Sequence, residues 1–89
     1  MSCFADPNVY ADVYGAIVAL MHELEKIKAR LDPKDYPLWS WVKQLEVDLR
    51  ILYEDIKTWR PNEEICYDEF ITRIRRISRE IDAIKQKIK

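Results

Sequence analysis

The sequence predicts an all-α fold, an antiparallel up-down-up three-helix bundle with coiled-coil-like a/d seams. Two observations lead to this prediction. Apolar residues recur at three- and four-residue spacing in three separate runs, and prolines stand in the two links between the runs. Such spacing places side chains along one face of a helix, and proline interrupts a helix. The 89 residues therefore form a single helical-bundle domain, 1–89.

Each apolar run is a heptad stripe by which one helix packs against its neighbours. The runs are Val13, Ile17, Leu20, Leu24, Ile27 and Leu31; then Leu38, Val42, Leu45, Leu49, Leu52, Ile56 and Trp59; then Phe70, Ile74, Ile77, Ile81, Ile84 and Ile88. A bundle that performs chemistry in its core points polar side chains inward. Because no stripe position is ionisable, we expect no catalytic residues, no metal, no cofactor and no small-molecule substrate, and hence a protein that is not an enzyme.

The links between the runs set the helix boundaries. The expected helices are 7–31, 37–59 and 63–88. Asp6 and Asn62 are the expected N-caps of helix 1 and helix 3, since a short polar side chain accepts hydrogen bonds from the free N–H groups of a first turn. Pro33, Pro37 and Pro61 interrupt the chain between helices. Short links make antiparallel neighbours, so the N-termini of helices 1 and 3 share one end, and we expect no strand.

Composition limits the classes of partner. The chain has 15 basic and 16 acidic residues, and a net charge of −1 gives no overall attraction to nucleic acid or to an anionic membrane. Its longest apolar stretch, Tyr14 to Met21, is far shorter than a membrane span, and its start lacks the basic residues of a signal peptide. We therefore expect a cytoplasmic protein without membrane contact. Many charges with few amides are typical of hyperthermophile proteins.

The outward face of helix 1 is the most unusual predicted surface, because its positions are mostly small or apolar. A helix that is apolar all round is normally buried all round. The predicted self-association residues are Ala11, Tyr14, Gly15, Val18, Ala19, Met21 and His22. The sequence also allows a central helix 1 or a patch that is merely exposed. Val47 and Ile51 in helix 2 could extend the same interface. The favoured function is a protein–protein interaction or assembly module that forms a homodimer.

The alternative function is nucleic-acid binding by the basic face of helix 3. Its residues would be Arg73, Arg75, Arg76 and Arg79. A basic pole could add to it, made of Lys26, Lys28, Arg30 and Lys34 with Lys85, Lys87 and Lys89. Lys and Arg side chains along one face are the groups that contact phosphates. The competing interpretation is a solvated face, with Arg73 paired to Glu69 and Arg76 to Glu80 at i,i+4 spacing.

Two smaller features remain open. Tyr36, Trp39 and Trp41 cluster at the start of helix 2, where they either cap the end of the bundle or form an aromatic platform for a partner. Cys3 and Cys66 match no metal-binding motif. They would share one end of the bundle, so they are either free thiols or a disulfide between the N-terminal segment and helix 3. Intracellular disulfides are rare outside hyperthermophiles.

Overall fold

Three long helices form the described part of the chain. They are α1 (Pro7–Arg30), α2 (Tyr36–Thr58) and α3 (Tyr67–Lys87). The computed structural model describes the backbone of residues 3–4, 7–58 and 65–88, and the side chains of residues 8–58 and 68–88. Each helix contacts the other two, which confirms the all-α three-helix bundle.

The directions of α1 and α2 follow from two contacts between them. The hydroxyl of Tyr14, early in α1, lies 3.2 Å from the hydroxyl of Tyr53, late in α2. Lys28, late in α1, lies 3.3 Å from a carboxylate oxygen of Glu46, nearer the start of α2. The two helices are therefore antiparallel, as a short link requires.

The direction of α3 follows in the same way. Glu23 of α1 pairs with Lys85, and both residues stand in the second half of their helices. Arg73, early in α3, lies 3.4 Å from Asp55, late in α2. Helix α3 is thus parallel to α1 and antiparallel to α2, the up-down-up order that the sequence predicts.

The core consists of the predicted stripes. Every described stripe position is buried except Leu38 and Ile88, which are half-buried, and Trp59 lies outside the described residues. No polar or charged residue is buried in the described part of the chain. Burying an aliphatic side chain contributes about 1.5–3 kcal/mol, so burial along the three stripes is the main force holding the helices together.

Two aspartates stabilise the link between α1 and α2 by side-chain hydrogen bonds to the backbone. The side chain of Asp32 accepts a 2.9 Å hydrogen bond from the backbone N–H of Lys34, and the Asp35 side chain accepts one of 3.3 Å from Leu38. Asp35 is thus the N-cap of α2, which begins at Tyr36 and not at residue 37. The expected caps Asp6 and Asn62, and the break at Pro61, lie outside the described residues.

One local correction concerns strands and the start of helix 3. The two-residue strands β1 (Cys3–Phe4) and β2 (Ile65–Cys66) pair antiparallel, with Cys3 opposite Cys66. Helix α3 therefore begins at Tyr67, four residues later than the predicted residue 63. The N-terminal segment supplies hydrogen-bond partners for the extended backbone before α3. Strands this short carry no alternating pattern, so the sequence prediction missed them.

Candidate functional site

A groove runs along the outer side of the bundle between α1 and α2. Its volume is about 740 Å³. The buried side chains of Leu24 and Leu49 form part of its wall, so the groove lies directly above the core. Four of the predicted self-association residues line it, namely Tyr14, Val18, Met21 and His22. Antiparallel packing of α1 on α2 thus brings two outer faces into one concave surface.

The remaining predicted residues of this face, Ala11, Gly15 and Ala19, are exposed on α1 but do not line the groove. A Cβ atom added at Gly15 would meet no atom within 4 Å. The small residues therefore create no close approach between helices inside the bundle. The exposure of these residues excludes the interpretation in which helix 1 is central and enclosed on all sides. An interface and a merely exposed patch stay as the two alternatives for this face.

Two large aliphatic side chains of α2 are exposed to solvent. Val47 is 52% exposed and lines the groove, and Ile51 on the following turn is 47% exposed. Val18 and Met21 face the groove from α1 and are half-buried. Val18, Met21 and Val47 therefore form one apolar surface across the groove, whereas Ile51 is exposed on α2 but does not line the groove.

Two tyrosines join the helices at one end of the groove. The hydroxyls of Tyr14 and Tyr53 are 3.2 Å apart, and their ring centroids are 5.6 Å apart. This hydrogen bond, with partial burial, raises the pKa of Tyr14 above its ordinary value. Tyr10 stacks on Tyr14 with a centroid distance of 6.3 Å. Tyr53 was not among the predicted site residues, because its position beside the α2 stripe does not reveal a partner on another helix.

The charged rim of the groove on α2 was also missed. It comprises Lys43, Glu46, Arg50 and Glu54. The buried Oε1 atom of Glu46 lies 3.3 Å from the ammonium nitrogen of Lys28 and 4.0 Å from that of Lys43, so it forms ion pairs but accepts no hydrogen bond of good geometry among the described residues. Arg50 and Glu54 are exposed, and neither forms an ion pair within the described ranges. The three- and four-residue spacing of alternating charges was the signal available in the sequence.

The four arginines of α3 divide into two pairs. Arg73 contacts Asp55 across the bundle, and not Glu69 as one interpretation expected. Arg76 lies 2.6 Å from Glu80, as expected, and 3.3 Å from Asp48 of α2. Two of the four guanidinium groups are therefore held by carboxylates.

Arg75 and Arg79 form the second pair. Both are exposed and form no ion pair within the described ranges. With Thr72 and Ser78 they line a shallow depression on the outer face of α3. The basic surface available to a phosphate backbone is thus smaller than the sequence suggests.

The aromatic cluster packs at the end of the bundle near the start of α2. The indole Nε1 of Trp41 donates a 2.9 Å hydrogen bond to a carboxylate oxygen of Glu80 in α3. The ammonium groups of Lys28 and Lys43 lie 5.8 and 5.6 Å from the ring centroid of Trp39. Both tryptophans are half-buried against the core, which favours the capping interpretation. Tyr36 is 73% exposed.

The cysteines have only their backbones in the described part of the chain. Cys3 and Cys66 are opposite each other in the strand pair. Their side chains lie outside the described residues, so a disulfide between them stays a prediction.

The described residues hold neither a cluster of metal ligands nor a helix that could span a membrane. Among these, no three His, Cys, Asp or Glu side chains cluster so as to hold a metal ion. No helix in the described ranges combines the length and apolarity that crossing a bilayer requires. No protein-family model, curated protein or solved structure matches this chain.

Proposed function

We propose that this chain is a small protein–protein interaction module that self-associates as a homodimer through the α1–α2 groove. The supporting observation is the apolar surface that Val18, Met21 and Val47 form along the groove, with Ile51 exposed one turn beyond Val47 on α2. Large exposed apolar patches bordered by polar side chains are typical of protein–protein interfaces. Charged and polar side chains border this one, including Lys43, Arg50 and Glu54.

A second copy is a suitable occupant because of the shape and chemistry of the surface. Closed two-fold dimers are the commonest oligomers, and they require a surface that is complementary to itself. The groove offers an apolar middle and charges of both signs within one helix face. Burying the exposed fractions of Val47 and Ile51 against a second copy would add hydrophobic stabilisation to a bundle whose own core is small.

Analytical ultracentrifugation of two variants tests the proposal. Val47→Lys places a charge in the apolar part of the groove on α2, and Val18→Arg places a long charged side chain in the groove from α1. The wild type should show a concentration-dependent mass that approaches twice the monomer, and both variants should be monomeric with unchanged helicity.

Matched substitutions elsewhere act as controls. Thr72→Lys changes an exposed residue of α3, and Ala29→Arg changes an exposed alanine of α1 beyond the groove. Both control variants should dimerise as the wild type does. A wild type that stays monomeric at high micromolar concentration would contradict the proposal.

Nucleic-acid binding is the second candidate, supported by the two arginines of α3 that are free of ion pairs in the described part of the chain, Arg75 and Arg79. They stand one helical turn apart, a spacing suited to successive phosphate contacts. Fluorescence anisotropy with labelled DNA and RNA at several salt concentrations tests it. This function requires salt-sensitive binding that Arg75→Ala with Arg79→Ala abolishes, and absence of binding at low salt excludes it.

A further inference from the structure

Four of the side chains that α2 presents along the groove form a pattern whose spacing is unchanged when the helix is reversed. Lys43, Val47, Arg50 and Glu54 form one stripe at spacings of four, three and four residues. Lys43 and Glu54 stand at equal distances on either side of the Asp48–Leu49 peptide bond, and so do Val47 and Arg50. A stripe with this symmetry matches a second copy of itself that runs in the opposite direction.

We propose that two copies dock with their α2 helices antiparallel, about a two-fold axis that passes beside the Asp48–Leu49 peptide bond. The inference rests on the proposed self-association and adds its register. Lys43 then faces Glu54 of the second copy, and Glu54 faces Lys43 of the second copy. Because the axis is two-fold, every contact forms twice.

The middle of the stripe is consistent with this register. Val47 lies beside Arg50 of the second copy, whose aliphatic stem covers apolar surface while its guanidinium reaches outward. Glu46 of the first copy lies within one residue of the same level, so the guanidinium can meet its carboxylate. The buried Oε1 atom of Glu46 lies 3.3 Å from the Lys28 ammonium nitrogen but accepts no hydrogen bond of good geometry among the described residues. Arg50 is exposed and forms no ion pair in the described part of the chain.

The charges also disfavour the other simple arrangement. If the two α2 helices ran parallel about an axis along their length, Lys43 would face Lys43 and Glu54 would face Glu54. Like charges placed opposite each other across an interface are repulsive and exclude wrong arrangements. The order of charges along α2 therefore selects the antiparallel docking.

Charge reversal tests the register. Lys43→Glu alone places a new carboxylate opposite Glu54 at both ends of the interface, and Glu54→Lys alone likewise places a new ammonium group opposite Lys43 at both ends. Each variant should dimerise about tenfold or more weakly than the wild type. In an equimolar mixture of the two variants, the proposed register places a carboxylate opposite an ammonium group at both ends of a heterodimer. The mixture should therefore form heterodimers about as tightly as the wild type forms its homodimer.

The double charge reversal, K43E with E54K in one chain, tests the register within a homodimer. In the proposed register each new carboxylate faces a new ammonium group of the second copy, so both pairs are again of opposite sign. The double variant should recover a homodimer with an affinity close to that of the wild type. Arg75→Glu, a charge reversal on α3, should leave the dimer unchanged.

Sedimentation supplies the readout, and circular dichroism confirms that each variant is folded. A wild type that dimerises while the double variant is no tighter than either single variant overturns the register but leaves the proposed function intact. A monomeric wild type overturns both.

Discussion

Cys3 in β1 lies directly opposite Cys66 in β2 in the antiparallel strand pair. Residues opposite each other in antiparallel strands have Cα atoms about 4.5–5.5 Å apart, and disulfides join Cα atoms about 4.4–6.8 Å apart. Two features of the fold also permit a disulfide between these cysteines. Helices α1 and α3 are parallel, and the N-terminal segment returns to the start of α3.

We therefore predict that oxidation closes a disulfide between Cys3 and Cys66. The closed loop of about 60 residues corresponds to roughly 4 kcal/mol of stabilisation in the chain-entropy model. Thiol titration of the oxidised native protein should find no free thiol, and reduction should lower the midpoint of thermal unfolding. Cys3→Ser is the control, since its stability should not respond to reductant. Two free thiols in the protein after oxidation would rule the bridge out.

The core prediction concerns Leu49, which is 1% exposed. Leu49→Ala should lower the free energy of unfolding by about 2–5 kcal/mol, because it removes buried apolar contacts and leaves a cavity. Ile51→Ala, two residues along the same helix, should lower it by less than about 1 kcal/mol in the monomer, since Ile51 is 47% exposed. Urea unfolding at concentrations where the chain is monomeric provides both values. Equal losses at the two positions would mean that the burial pattern of α2 is wrong.

Gly15 should be replaceable without strain in the monomer. It lies within α1, and an added Cβ atom meets nothing within 4 Å. Gly15→Ala should therefore raise the free energy of unfolding of the monomer by about 0.5–1 kcal/mol, the ordinary cost of glycine inside a helix. The reverse change at Ala19, an exposed alanine in the interior of α1, should lower it by a similar amount in the variant Ala19→Gly. A loss of stability in the Gly15→Ala monomer would contradict the open environment of this residue.

The hydrogen bond between Tyr14 and Tyr53 should be visible in the titration of tyrosine. Because the bond raises the pKa of Tyr14 above 10.0, its contribution to stability is complete below that pH and disappears as the pH rises through the raised pKa. Tyr53→Phe should lower the pKa of Tyr14 toward its ordinary value. The absorbance of tyrosinate against pH measures the pKa of Tyr14. Subtracting the titration curve of Tyr14→Phe isolates the contribution of Tyr14.

The control for that titration is Tyr36→Phe. Tyr36 is 73% exposed, so its removal should subtract one tyrosine without shifting the titration of the others. An unchanged Tyr14 pKa in Tyr53→Phe would show that the hydrogen bond is not the cause of the shift.

The sequence by itself determined the three helices, their order and the residues of the core. Helix formation depends on local spacing, so the stripe from Val13 to Leu31 identifies both α1 and its buried face. The prolines and aspartates between the stripes act locally as well, and for this reason the first link was placed within about one residue. The outer apolar face of helix 1 could be identified for the same reason, since every residue of it lies on one helix.

The tertiary structure decided which separate surfaces meet. The contact of Tyr14 with Tyr53, the partner of Arg73 and the pairing of Cys3 with Cys66 all join residues far apart in the chain. No spacing within one helix encodes such contacts, because they depend on how two helices are rotated and shifted against each other. The groove is likewise a property of the packed pair α1 and α2. The alternating charges of its rim are visible along α2 in the sequence, but only the packing of the helices showed that this side of α2 borders α1.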